Sequence, residues 1–165
     1  MKIILDADPH LLISLSILCE EGVCLLKRSN NLKKTGFLTP RMGNTDRIFV
    51  NVYNDCSDLS EFLGNFHMID IKPKHLFVDL NVAKKKEVFP IISLLASLSQ
   101  VAEIKIFCVF NSHGNYFDIW SAYGRFFDCI FVVSNRMVNL IRCEVGKISA
   151  SLLGDVYENL SKFIL

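Results

Sequence analysis

Short solid apolar runs alternate along the chain with longer segments whose apolar residues recur every third or fourth position. Residues 2–7 form a β-branched run and predict a strand. From Pro9 onward Leu11, Leu12, Leu15, Leu18 and Cys19 keep helical spacing until Gly22 ends the run. Residues 47–53 ("RIFVNVY") alternate and predict a second strand. The stretch "NDCSDLSEFLGNF" opens on Asn and Asp, which cap helices well, and predicts a short helix. Residues 75–80 and 104–110 are solidly apolar strands, with a helix predicted over 86–100 between them. A helix over 115–124, a strand over 129–133 and a helix over 135–144 follow. The last segment, 149–163, carries Leu152, Leu153, Val156, Leu160 and Ile164 on or near one face and predicts an amphipathic helix.

Strands alternating with helices predict an α/β fold: a doubly wound, five-stranded parallel sheet with helices on both faces. Its central strands should be apolar on both sides, and they largely are. Residues 23–46 interrupt the pattern. They hold Lys27, Arg28, Lys33, Lys34 and Arg41, with Gly36, Pro40 and Gly43 as breakers, and are expected to form an insertion after the first helix. The basic stretch has one aromatic, Phe37, and lacks the interleaved rings of a single-strand nucleic-acid binder. The expected organisation is one domain over 1–146 and an extra C-terminal linker or dimerisation helix over 147–165.

Composition narrows the function more than the fold. Of 165 residues, 51% are hydrophobic and 21% charged, with a net charge of +1, which gives no general attraction for nucleic acid or acidic lipid. Six cysteines stand at 19, 24, 56, 108, 129 and 143 without a CxxC pair, so neither a zinc site nor a disulfide framework is expected. That usage, with no signal peptide and no apolar run long enough to span a bilayer, predicts a reducing, cytoplasmic setting.

In a doubly wound sheet the working site lies beyond the carboxyl ends of the strands. Three acids are expected there: Asp6 and Asp8 after the first strand, and Asp79 after the strand "HLFVDL". Clustered carboxylates on such an edge suit a hard cation beside a phosphate. At these residues the chain resembles the receiver domain of bacterial response regulators, above all the LuxR/NarL-type branch. "MKIILDADPHLLISLSILCEEG" resembles that family's opening strand, acidic turn and first helix. "KPKHLFVDLNV" resembles its phosphoacceptor strand, "AEIKIFCVF" its fourth strand, and "DIWSAYGRFFDCIFVVSN" its fourth helix and fifth strand. "NLIRCEVGKISASLLGDVYENL" resembles the last receiver helix and the start of the linker. The resemblance implies a flavodoxin/CheY-like strand order and puts Asp79 at the phosphoacceptor position.

The resemblance also implies which groups are missing. Asp6 takes the first acidic position, Ala7 the second, and Asp8 lies one residue beyond. The hydroxyl position falls on Phe110, with Asn111 and Ser112 just past it, and the lysine position falls on Val133. A phosphorylated aspartate needs cations and donors for its charge, and Phe110 and Val133 supply neither. Asp79, Asp6 and Asp8 are therefore read as remnants, with no catalytic residue, metal or cofactor expected. The bland reading of the same acids is that Asp6 and Asp8 cap the first helix and Asp79 accepts hydrogen bonds from the loop after it.

The function expected is that of a non-catalytic regulatory and dimerisation domain of an atypical LuxR-type transcription regulator, independent of phosphorylation and acting by protein–protein contact. Its expected partner is a second copy or another regulator, with DNA reached only through a helix-turn-helix domain that this sequence does not contain, and with no membrane contact. The helices expected over 135–144 and 149–163 would form the contact face. A cytoplasmic interaction module of a membrane-anchored pilus or secretion platform fits the same features. A nuclease using Asp6, Asp8 and Asp79 to hold metal is the third reading, and it lacks a fourth acid and a base at the end of the fifth strand.

Overall fold

A computed structural model describes residues 1–8, 10–16, 18–19, 22–27, 48–68, 73–81, 85–114, 116–135, 137–144 and 147–162. The strands are β1 (Lys2–Leu5), β2 (Gly22–Lys27), β3 (Ile48–Tyr53), β4 (His75–Asp79), β5 (Lys105–Phe110), β6 (Cys129–Ser134), β7 (Met137–Glu144) and β8 (Lys147–Asp155). The helices are α1 (His10–Ser16), α2 (Cys56–Gly64), α3 (Lys85–Val101), α4 (Tyr116–Tyr123) and α5 (Val156–Ser161). Asp55 caps α2 as its sequence predicts, its carboxylate accepting from the amides of Ser57 and Asp58.

Among the described residues the strands form a single sheet in the order β3-β2-β4-β5-β1-β6-β7-β8. The α/β class stands, but the sheet is mixed and larger than the five parallel strands expected. Strands β1 to β6 run parallel, and β7 and β8 add an antiparallel meander. The strand order is not flavodoxin/CheY-like. In that order the first strand lies between the second and third. Here β1 lies between β5 and β6, with Leu5 paired to both Phe110 and Val132.

Three expected elements change with the sheet. Residues 135–144 are not a helix; Met137–Glu144 is β7, and Val138 and Leu140 are buried at the two-residue period of a strand. Of the last expected helix, 147–155 is β8 and Val156–Ser161 alone is helical. Residues 147–155 thus belong to the sheet and are no linker helix. The expected insertion, 23–46, overlaps β2, an internal strand paired to β3 and β4. Residues 28–47, which carry most of its basic charge, lie outside the described residues.

Alternation along the central strands divides the apolar residues between two cores. One face of the sheet presents Ile3, Leu5, Leu76, Val78, Ile106, Cys108 and Ile130. It packs against Leu59 and Leu63 of α2, Ile91, Ile92 and Leu95 of α3 and Ile119 of α4. The other face presents Ile4, Phe77, Phe107, Val109 and Phe131 to Leu11, Leu12 and Leu15 of α1 and Leu160 of α5. Phe77 and Phe107 stack with centroids 5.3 Å apart and planes 16° from parallel. Each such side chain, fully removed from water, contributes about 1.5–3 kcal/mol of transfer free energy. No helix among the described residues is long and apolar enough to cross a membrane.

Candidate functional site

The helices assign the site. The chain leaves β1 into α1 on one face of the sheet, and leaves β5 into α4 on the other. Adjacent parallel strands whose connections part to opposite faces form a switch point, the place where doubly wound sheets open a ligand crevice. In this chain that place is the rim between the carboxyl ends of β1 and β5.

The rim is crossed by hydrogen bonds. Asp6 follows β1 in the left-handed region, with φ of 58°, and its amide donates to the Phe110 carbonyl at 2.9 Å. Its carboxylate spans to the loop after β5: Oδ1 accepts from the Ser112 amide at 2.6 Å and Oδ2 from the Ser112 hydroxyl at 2.7 Å. Ser112 is buried, and its Oγ in turn accepts from the Gly114 amide at 3.1 Å. Asn111 Oδ1 accepts from the His113 amide at 2.9 Å. His113 and Gly114 both have positive φ, so residues 111–114 make a tight polar turn seated on Asp6.

A second tie lies one strand over. Asp79 ends β4 and is 3% exposed. Its Oδ1 accepts from the Asn81 amide at 3.0 Å and from Asn81 Nδ2 at 2.7 Å. Asn81 Oδ1 then accepts from the Asn111 amide at 2.6 Å, which joins the loop after β4 to the loop after β5. Asp79 does accept from the loop after it, as its bland reading has it. The burial of a carboxylate is tolerable where donors satisfy it.

The three acids do not form the metal cluster that their sequence positions suggested. β5 separates β1 from β4, so Asp6 and Asp79 stand two strand spacings apart, roughly 10 Å. Asp6 turns to Ser112, and Asp79 to Asn81. The Asp8 side is exposed, and its carbonyl accepts from the Leu11 amide in the first turn of α1. Among the described residues no group of three His, Cys, Asp or Glu side chains could hold a metal ion. Phe110 is buried in the core under α2, α3 and α4, and Val133 packs against the α1 core. Both positions are thus filled by packing residues. A hydroxyl does reach the rim, from Ser112, where it serves Asp6.

Asn81 was not singled out from the sequence, and Asn111 and Ser112 were named only as lying just past the hydroxyl position, not as a turn that holds Asp6. The signal was present: an Asn two residues after the last Asp of a strand, and "NSHG" directly after a buried one, are Asx-type turn patterns. Among the described residues, cavities lie away from the rim. One of about 470 Å³ is lined by Arg125, Asp128, Ile130 and Ile141, and one of about 500 Å³ by Val52, Tyr53, Phe62 and Met68 beside β3. Cys19, Cys56, Cys108 and Cys129 are free thiols. Burial pushes the Cys108 thiol up to about 12 and the Cys19 thiol up to about 11, Lys105 pulling the latter slightly down. Such thiols are packing groups and not nucleophiles.

No protein-family profile matches this sequence, and no curated protein does. Among solved structures the chain is similar to the crystal structure of SulA from Pseudomonas aeruginosa, at 15% sequence identity and a TM-score of 0.44. That similarity covers 67% of this chain and 96% of the other. At such distance no residue role passes from one to the other.

Proposed function

We propose that this chain is a non-catalytic α/β module that works by protein–protein contact. The observation that carries the reading is the Asp6–Ser112 tie across the switch point between β1 and β5. Where a doubly wound sheet would admit a ligand, this one spends its acid on the neighbouring loop, and the second acid, Asp79, on Asn81. Charge-assisted bonds of this kind contribute about 1.5–3 kcal/mol each, and a ligand entering the rim would have to replace them.

The finer reading, a phosphorylation-independent regulatory domain of a LuxR-type transcription regulator, depended on a receiver strand order. With β1 between β5 and β6 that support is gone, and the proposal keeps the contact role without the lineage. The test is titration with beryllofluoride and Mg²⁺, which mimic an acyl phosphate, followed by amide spectra. The amides of Asp79, Asn81, Phe110 and Ser112 are expected to stay in place. Saturable movement of these amides would show a working phosphoacceptor pocket and end the proposal.

A further inference from the structure

We infer that the cavity beside Arg125 binds an apolar carboxylate: a branched apolar group bearing one carboxylate, as on the apolar C-terminal residue of a peptide or on a free short-chain acid. The cavity, of about 470 Å³, lies between the turn Gly124–Phe126 after α4 and the strands β6 and β7. Small-molecule sites occupy roughly 300–1,000 Å³ and combine apolar walls with a few polar groups that fix orientation. This cavity has both. Ile130 of β6 and Ile141 of β7 are direct cross-strand neighbours, and with Phe127 they form its apolar lining. Ile130 belongs to the core under α2, α3 and α4, and Phe127 and Ile141 pack against that core. The lining is therefore held in place by the fold and needs no ligand to assemble it.

Arg125 supplies the charge. Its guanidinium carbon lies 4.9 Å from the centroid of the Phe126 ring. Phe126 meets Phe89 of α3 edge-on at 5.8 Å, and Phe89 lies 6.3 Å from Tyr123, so the ring under the cation is itself packed. A guanidinium over a ring face keeps its N–H groups for other acceptors. Among the described residues no acceptor takes them. Asp128 lines the same cavity and does not pair with Arg125. Its Oδ2 accepts from the Met1 ammonium at 2.7 Å, and its amide donates to the Met1 carbonyl at 2.8 Å. Those two charges offset each other, which leaves the guanidinium as the charge to be matched. A guanidinium takes a carboxylate through two parallel N–H···O bonds. The remainder of the ligand then falls to Phe127, Ile130 and Ile141. A second carboxylate would need a second cation, and among the described residues the cavity has no other basic side chain.

Titration of the full chain with N-acetylleucine, isocaproate and N-acetylleucinamide, followed by amide spectra, tests this. Both acids are expected to move the amides of Gly124, Arg125, Asp128 and Ile130 saturably, with dissociation constants on the order of a millimolar, as suits ligands of so few atoms. The uncharged N-acetylleucinamide is expected to bind about tenfold more weakly than N-acetylleucine. Tighter binding of N-acetylleucine points to peptide termini and tighter binding of isocaproate to free acids, and either result supports the inference. Arg125 is exposed, so Arg125→Gln is expected to keep the fold and to weaken both acids about tenfold, without changing the binding of N-acetylleucinamide. Cavity amides that stay in place throughout, N-acetylleucinamide binding as well as N-acetylleucine, or acids indifferent to Arg125→Gln overturn the inference. The rim amides report on beryllofluoride and the cavity amides on the acids, so this site and the contact reading fail separately.

Discussion

In the centre of the sheet, β1, β4 and β5 are apolar on both faces, with helices over each, whereas at the antiparallel end β7 and β8 intersperse Asn139, Arg142, Glu144, Lys147, Ser149 and Ser151 among their apolar residues. The first region is a slab between two cores. The second is a margin, covered by α5 and by part of the α1 core and then ending in an edge. The difference shows where this molecule keeps its stability and where it keeps adaptable surface.

The largest effect is expected from the centre. Phe107→Ala removes a fully buried ring from its stack with Phe77 and should cost about 3–5 kcal/mol. Leu140→Ala in β7 should cost about 2–3 kcal/mol, because the margin can relax into the space. Urea unfolding of both variants checks the pair, and equal losses would erase the distinction between the regions.

Alkaline pH sharpens it next. A thiol held near 12 in the fold and near 9.0 in the unfolded chain keeps its proton in the native state after the unfolded state has lost it. Stability contributed at Cys108 is therefore whole below pH about 9 and is lost progressively as pH rises toward 12. Unfolding free energies compared for wild type and Cys108→Ala between neutral pH and pH 10.5 should show a steeper decline for wild type. Parallel slopes would mean that the central slab yields to hydroxide as readily as the margin.

The smallest effect is local to the margin. Gly154 has φ of 104°, and a Cβ there would meet Asn159 Nδ2 at 3.3 Å. Gly154→Ala should cost about 1–3 kcal/mol and should shift the thermal midpoint without changing the spectrum of the folded state. No loss at all would mean that the bulge end of β8 is already loose.

The same contrast explains what could be read from the sequence. β4, β5 and β6 were legible because a strand covered on both faces leaves a solid apolar run that few other elements produce. β7 and β8 were misread because a margin strand mixes apolar residues on both faces with polar ones. In β8 and the start of α5, Leu152, Leu153, Val156 and Leu160 fall at helical spacing although the chain changes from strand to helix between them. The rim acids were placed correctly at the ends of their strands. Their partners were not, because Asp6 and Ser112 meet only through the position of β1 beside β5, and sheet order is not written in local periodicity.

That position of β1 has a consequence in time. The Asp6–Ser112 tie joins residues separated by 106 places along the chain. At the usual synthesis rate of about 5–20 residues per second, the opening strand emerges roughly 5–20 s before its two neighbours exist. During that interval Ile3, Ile4 and Leu5 have no sheet to enter, and the nascent chain must carry them unhoused until β5 and β6 arrive on either side.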